Sequence, residues 1–129
     1  MTSCLIVDDS MTVRKLIHKI VDTWDFDVRE AGDGAQALSE CKSSMPDLVF
    51  LDWNMPVMSG IEFLENLRSL ENGAKPVVLF CTTENGLDFI QRGMKAGANE
   101  YIMKPFDKTI LESKLETLGI LSQSVASAV

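Results

Sequence analysis

Three carboxylates, one hydroxyl and one ammonium stand where apolar stretches of this chain give way to turn residues. Asp8 and Asp9 follow Leu5-Ile6-Val7, Asp52 follows Leu48-Val49-Phe50-Leu51, Thr82 follows Val77 to Cys81, and Lys104 follows Tyr101-Ile102-Met103 and precedes Pro105. A parallel sheet carries strand ends of one sense to a common edge, so a single sheet can gather all five. Converging carboxylates repel one another, and they stay ionised together only beside a cation. Magnesium suits them, with manganese as a substitute: it takes few protein oxygens, keeps several waters and accepts a phosphate oxygen. Lys104 adds a point charge for a transferring phosphoryl group, and Thr82 adds a hydroxyl donor. Singly, each residue is ordinary, since acids and threonines at strand ends mostly serve turns and a lysine before proline mostly lies in solvent. Asp52 closes an otherwise apolar run, which suits a cap or a nucleophile, and the neighbouring cap role falls to Ser59. Together the residues read as a phosphate and metal site.

The elements that must position them follow from period. Ser3 to Val7 is a short apolar strand, and Met11, Val13, Leu16, Ile17, Ile20, Val21 and Trp24 recur at helical spacing behind a Ser10 N-cap. Val28 to Ala31 reads as a weaker strand, followed by Asp33-Gly34 and a short helix with Ala37, Leu38 and Cys41 on one face. Leu48 to Leu51 is unbroken apolar, as in a central strand covered on both faces. Ser59 with Glu62 reads as a capping box ahead of Ile61, Leu64 and Leu67. Pro76 to Cys81 is another apolar strand, and a helix with Leu87, Ile90 and Met94 runs to a stop at Gly97. Glu100 to Met103 is the last strand, and Asp107 caps a last helix through Ile110, Leu111, Leu115 and Leu118. Five strand-helix repeats with short connections predict an α/β fold, a doubly wound five-stranded parallel sheet in the flavodoxin-like order 2-1-3-4-5. In that order strands one and three flank the switch point, which puts Asp8-Asp9 beside Asp52.

With 129 residues the chain suits one domain, expected over 1–121, with 122–129 as a flexible tail. A formal charge of −7 opposes a phosphate-backbone partner, so no nucleic-acid binding is expected. Cys4, Cys41 and Cys81 are odd in number and lack zinc spacing, as buried thiols of a reducing cytoplasm would. No apolar run approaches the roughly 20 residues that cross a bilayer, and no basic-then-apolar leader precedes the first strand, so no membrane insertion is expected.

The ordered set Val7-Asp8-Asp9-Ser10, Leu51-Asp52-Trp53-Asn54-Met55-Pro56, Gly60, Thr82 and Lys104-Pro105-Phe106 resembles a two-component response-regulator receiver domain, of the stand-alone chemotaxis type, over residues 3 to 118. The resemblance implies that Asp52 is the phosphoacceptor and that Asp8, Asp9, Asp52 and the backbone carbonyl of Asn54 hold magnesium. It implies that Thr82 and Lys104 contact the phosphoryl group, that Lys104-Pro105 is cis, and that Tyr101 swings inward with Thr82. Asn54 and Glu84 would flank the phosphoryl group and tune its hydrolysis. Thr83 stands where the family often has a small residue, which bears on access to Asp52. The implied partners are a histidine kinase or phosphotransfer protein and an output protein such as a flagellar motor switch. A cytoplasmic monomer is expected, one that catalyses only its own phosphorylation and slow dephosphorylation. The output surface is expected on the last two helices and the fifth strand, with Gln91, Lys95, Tyr101 and Lys108.

Three alternatives compete. An aspartate-nucleophile phosphatase of the haloacid-dehalogenase type resembles Asp-x-Asp, but its second acid is Asn54 here. A flavin carrier shares the topology, yet Asp8-Asp9 would repel its phosphate. A pseudo-receiver used only for docking has little need of the full set. His18, one position off the apolar stripe of its helix, is assigned no role. Trp53 is expected near the metal and Trp24 at a helix end.

Overall fold

The computed structural model describes residues 2–53, 55, 57–83 and 87–122. Its strands are β1 (Ser3–Val7), β2 (Asp27–Ala31), β3 (Leu48–Asp52), β4 (Val77–Thr82) and β5 (Glu100–Met103), each followed by a helix. The helices are α1 (Met11–Asp22), α2 (Gly34–Ser43), α3 (Gly60–Ser69), α4 (Leu87–Ala96) and α5 (Lys108–Thr117). All strand pairs are parallel, in the order β2-β1-β3-β4-β5. That is the predicted doubly wound, flavodoxin-like sheet.

Alternation along the strands splits the core in two, because successive side chains leave opposite faces. Cys4, Ile6, Leu48, Phe50, Leu79, Cys81 and Ile102 meet Ile17 and Val21 of α1 and Leu111 and Leu115 of α5. On the other face Leu5, Val7, Val49, Leu51, Val78 and Phe80 meet Ala37 and Cys41 of α2 and Phe63, Leu64 and Leu67 of α3. Every residue of β3 is buried, which explains why its apolar run is unbroken. α4 approaches Phe80 closely at Gly93, where a Cβ would stand 2.6 Å from a ring carbon.

The helix starts follow the caps: the side chains of Ser10, Ser59 and Asp107 each accept a backbone N–H three residues on. The Ser59 box is half formed, since Glu62 meets the Ser59 hydroxyl rather than its backbone N–H. Gly97 ends α4 with φ at +118°. Two boundaries differ from the sequence reading for backbone reasons. β4 starts at Val77 because Pro76 has no N–H to give the ladder. α1 stops at Asp22, and the chain turns through Asp25 at φ +58°. At the far end of the sheet, Arg68 ties the loops together by donating to Gly73, Pro76 and Gly97 carbonyls and the Asn99 side chain. Of the expected tail only Ser122 lies among the described residues.

Candidate functional site

The ladder carries β1, β3, β4 and β5 to one edge. Val7 is paired with Leu51, Asp52 with Cys81 and Thr82 with Met103, so Asp8, Asp52, Thr82 and Lys104 leave neighbouring strands together. The backbone N–H of Asp8 donates to Ala31 and that of Lys104 to Thr82, each extending its ladder one step past the strand. Gly60 lets α3 begin against β3, since a Cβ there would lie 2.6 Å from the Asp52 carbonyl oxygen. Val57, in the loop between β3 and α3, holds φ +69°, a left-handed conformation that a β-branched side chain resists.

Asp8, Asp52 and Thr82 are the buried polar residues among those described, at 3%, 8% and 2% exposure. Lys104 spans the acids: its Nζ donates to Asp52 Oδ1 at 2.9 Å and to Asp8 Oδ2 at 3.0 Å. Asp8 Oδ1 accepts the Ser10 backbone N–H at 2.9 Å. Asp9 is exposed, yet one oxygen from each of Asp8, Asp9 and Asp52 lies within 4.8 Å of the others. Burial pushes the Asp52 carboxyl pKa above its ordinary value, with Asp8 and Asp9 adding to it and Lys104 opposing them. Burial also works against the Lys104 ammonium, but its bonds to Asp52 and Asp8 outweigh that and hold its pKa high. The cluster holds three carboxylates and one cation.

The donor set fits a small hard dication. It is all oxygen, with neither Cys nor His, and opposite oxygens around magnesium lie about 4.2 Å apart, half an ångström or so inside the observed span. Among the described residues it is the one group of three or more such side chains placed this closely.

The other predicted residues fall as follows. Tyr101 is half-buried, 6.1 Å from the Phe80 ring, with Lys114 Nζ 4.7 Å over its face. The Lys104–Pro105 peptide is cis. Thr83 is exposed and, with Lys104, Pro105 and Phe106, lines a groove of about 330 Å³ opposite Val13, Leu16 and Ile17 of α1. Asn54 and Glu84 lie outside the described residues. The Trp53 indole, next in the chain to Asp52, turns into the core. It packs at 5.1 Å from Phe80 and 6.0 Å from Phe89, inside the apolar cluster beneath α3 and α4. Lys108 Nζ lies 5.8 Å from the Trp24 ring centroid, and the lysine beside Tyr101 is Lys114.

Sequence reasoning passed over a second cluster beside the site. Glu30, next to the end of β2, takes Arg14 Nε at 3.1 Å, Lys15 Nζ at 3.0 Å and His18 Nδ1 at 2.7 Å. A carboxylate only accepts, so the imidazole donates through Nδ1. His18, left without a role on the sequence, is thus part of a network. Its signal was the spacing of Arg14, Lys15 and His18 on one side of α1, opposite a strand whose one inward acid is Glu30.

Comparison with known proteins agrees with this geometry. The model of the response regulator receiver domain matches residues 4–116. Chemotaxis protein CheY-3 of Vibrio cholerae is 39% identical over 115 residues, 88% of each chain. Chemotaxis protein CheY1 of Helicobacter pylori is 35% identical over 116 residues, covering 88% of this chain and 94% of its own. The solved structure of the Vibrio cholerae chemotaxis response regulator CheY4 superposes with a TM-score of 0.87 at 31% identity, over 92% of this chain and 98% of that one. No described helix is long and apolar enough to cross a membrane. With fold, acid cluster and sequence in agreement along almost its whole length, the chain belongs to the response regulator receiver domain family.

Proposed function

We propose that this receiver takes a phosphoryl group onto Asp52 from a histidine kinase or phosphotransfer protein, changes conformation, and signals by protein contact as a cytoplasmic regulator. Receivers of the CheY type are signalling proteins rather than enzymes in the usual sense. The observation that carries the reading is the cluster itself: Asp52 buried at the sheet edge, bonded to Lys104, with Asp8 and Asp9 in reach.

An Asp52 carboxylate oxygen attacks phosphorus in line, and the P–N bond of the donor phosphohistidine breaks. Its electron pair leaves on the imidazole, and a mixed carboxylic-phosphoric anhydride remains. Lys104 already donates to Asp52, so its ammonium stands where charge builds on the transferred group. Asp8, Asp9, Asp52 and the carbonyl of Asn54 would hold magnesium or manganese, which when bound screens the phosphoryl oxygens from the acids. Water attacking phosphorus later breaks the bond to the Asp52 oxygen and releases inorganic phosphate and the free carboxylate, with Asn54, Thr83 and Glu84 tuning its access. The conformational change draws Thr82 and Lys104 to the phosphoryl oxygens and turns Tyr101 inward from Phe80. The output surface is then α4, β5 and α5, with Gln91, Lys95, Tyr101 and Lys114, where a flagellar motor switch protein would dock.

Acetyl phosphate with magnesium tests the reading. Mass spectrometry should find one base-labile phosphoryl group, on Asp52, absent without a divalent cation and absent in Asp52→Asn. Amide resonances around Tyr101 should shift with it. Labelling of Asp52→Asn at the wild-type level would reject the nucleophile.

A further inference from the structure

The carbonyl of Asp8 is the first that β1 leaves behind, and it does not go unpaired. Arg14 Nη1 donates to it at 2.6 Å, while Nε of the same guanidinium donates to Glu30 Oε1 at 3.1 Å. Both side chains are 15% exposed, so the fork is held in a largely dry place between α1 and β2. Glu30 is held in turn by Lys15 and His18, and its strand is registered on β1 with Ile6 opposite Glu30 and Val7 opposite Ala31. A rigid element therefore reaches through Arg14 to one peptide plane, that between Asp8 and Asp9.

That plane matters because of what Asp9 lacks. The Asp8 carboxylate is fixed directly, by Lys104 and by the Ser10 N–H. The Asp9 carboxylate has no anchor of that kind: among the described residues no hydrogen bond or ion pair holds it, although it lies within the acid cluster. Its position is set by its own backbone. The orientation of the Asp8–Asp9 peptide fixes where the Asp9 N and Cα stand, and with them the base from which the Cα–Cβ bond leaves, because the peptide is planar.

We infer that Arg14, braced by Glu30, is a positioning residue for the cation site: it clamps the Asp8 carbonyl and so aims Asp9 at Asp8 and Asp52. The inference rests on the metal reading proposed above. Groups that orient metal ligands without touching the metal typically matter about tenfold to a hundredfold in affinity. A guanidinium can serve here because its donors diverge in a fixed plane, one to the carbonyl and one to the carboxylate, whereas a lysine presents a single ammonium.

Charge gives the test its sign. Arg14 is a cation close to a cation site, so if it acted only through Coulomb repulsion, removing it would tighten metal binding. Positioning predicts the reverse. Binding of Mn²⁺ to the whole chain, read by electron paramagnetic resonance of the unbound ion, should weaken about tenfold or more in Arg14→Met and also in Arg14→Lys, which keeps the charge. Arg29→Met serves as the structural control. Arg29 is another β2-to-helix tether, donating to the Glu40 and Ser44 carbonyls of α2 away from the acids, and its loss should leave Mn²⁺ affinity unchanged. If Arg14→Met does not fold, Glu30→Gln carries the test, with weaker binding expected from the loosened brace. Affinity equal to or tighter than wild type in Arg14→Met, or in Glu30→Gln where that is the variant used, overturns the positioning role alone. A wild-type chain that binds no Mn²⁺ removes the metal reading and the inference with it.

Discussion

Two charged clusters flank β1, and they are built in opposite proportions. Around Glu30 one carboxylate collects three donors, Arg14, Lys15 and His18. Around Lys104 one ammonium faces three carboxylates, Asp8, Asp9 and Asp52. The consequences for ionisation are opposite. Burial works against the Glu30 carboxylate, but His18, Lys15 and Arg14 more than offset it and bring its pKa down to about 2. At Asp52 burial wins, helped by Asp8 and Asp9, and the pKa rises. A cluster that satisfies its charges holds structure together, whereas one left short of positive charge is ready to receive it.

Removing a carboxylate should therefore have opposite effects in the two places. Glu30→Gln takes the shared acid from three donors and should cost about 2 kcal/mol at neutral pH, read from urea unfolding. Because the folded pKa of Glu30 lies below the ordinary 4.5, its ionised form stabilises the fold. That contribution is whole above about 4.5 and disappears as the pH falls to about 2, so wild type and Glu30→Gln should converge over this window. A gap that stays constant from neutral pH down to about 2 would break the comparison. The smaller effect belongs to Asp52→Asn, which keeps an oxygen for Lys104 and drops one of three negative charges. Without divalent cations it should be more stable than wild type by about 1 kcal/mol, as functional sites held under strain often allow. A loss of stability there would mean that Lys104 already balances the acids.

Much of this was legible in the sequence because it depends on local rules. Short unbroken apolar runs against period 3.6 separated strands from helices, Ser10, Ser59 and Asp107 marked helix starts, and the ends of apolar runs marked Asp8, Asp52, Thr82 and Lys104 as neighbours. What stayed hidden depends on where long side chains reach. Lys104 bridges 96 residues to Asp8, Arg14 leaves its helix for the carbonyl just past β1, and Lys114 covers Tyr101. Arginine and lysine stems can lie along apolar surface and end several ångströms away, so their spacing in sequence says little about their partners. The packing of Trp53 was hidden for a related reason. Adjacent residues on an extended chain point to opposite faces, so a neighbour of Asp52 in sequence goes to Phe80 and Phe89 instead.

The central claim is that the acid cluster is built to take a dication, and the unfolding midpoint with and without magnesium measures this most directly. A ligand that binds only the folded state stabilises it by about 2.7 kcal/mol at a hundred times its dissociation constant. Magnesium should raise the midpoint of the wild-type chain and leave that of Asp9→Ala nearly where it was, although among the described residues no hydrogen bond or ion pair ties Asp9 to the fold. Equal rises in the two proteins would contradict the claim, since the cation would then be binding somewhere other than between Asp8, Asp9 and Asp52.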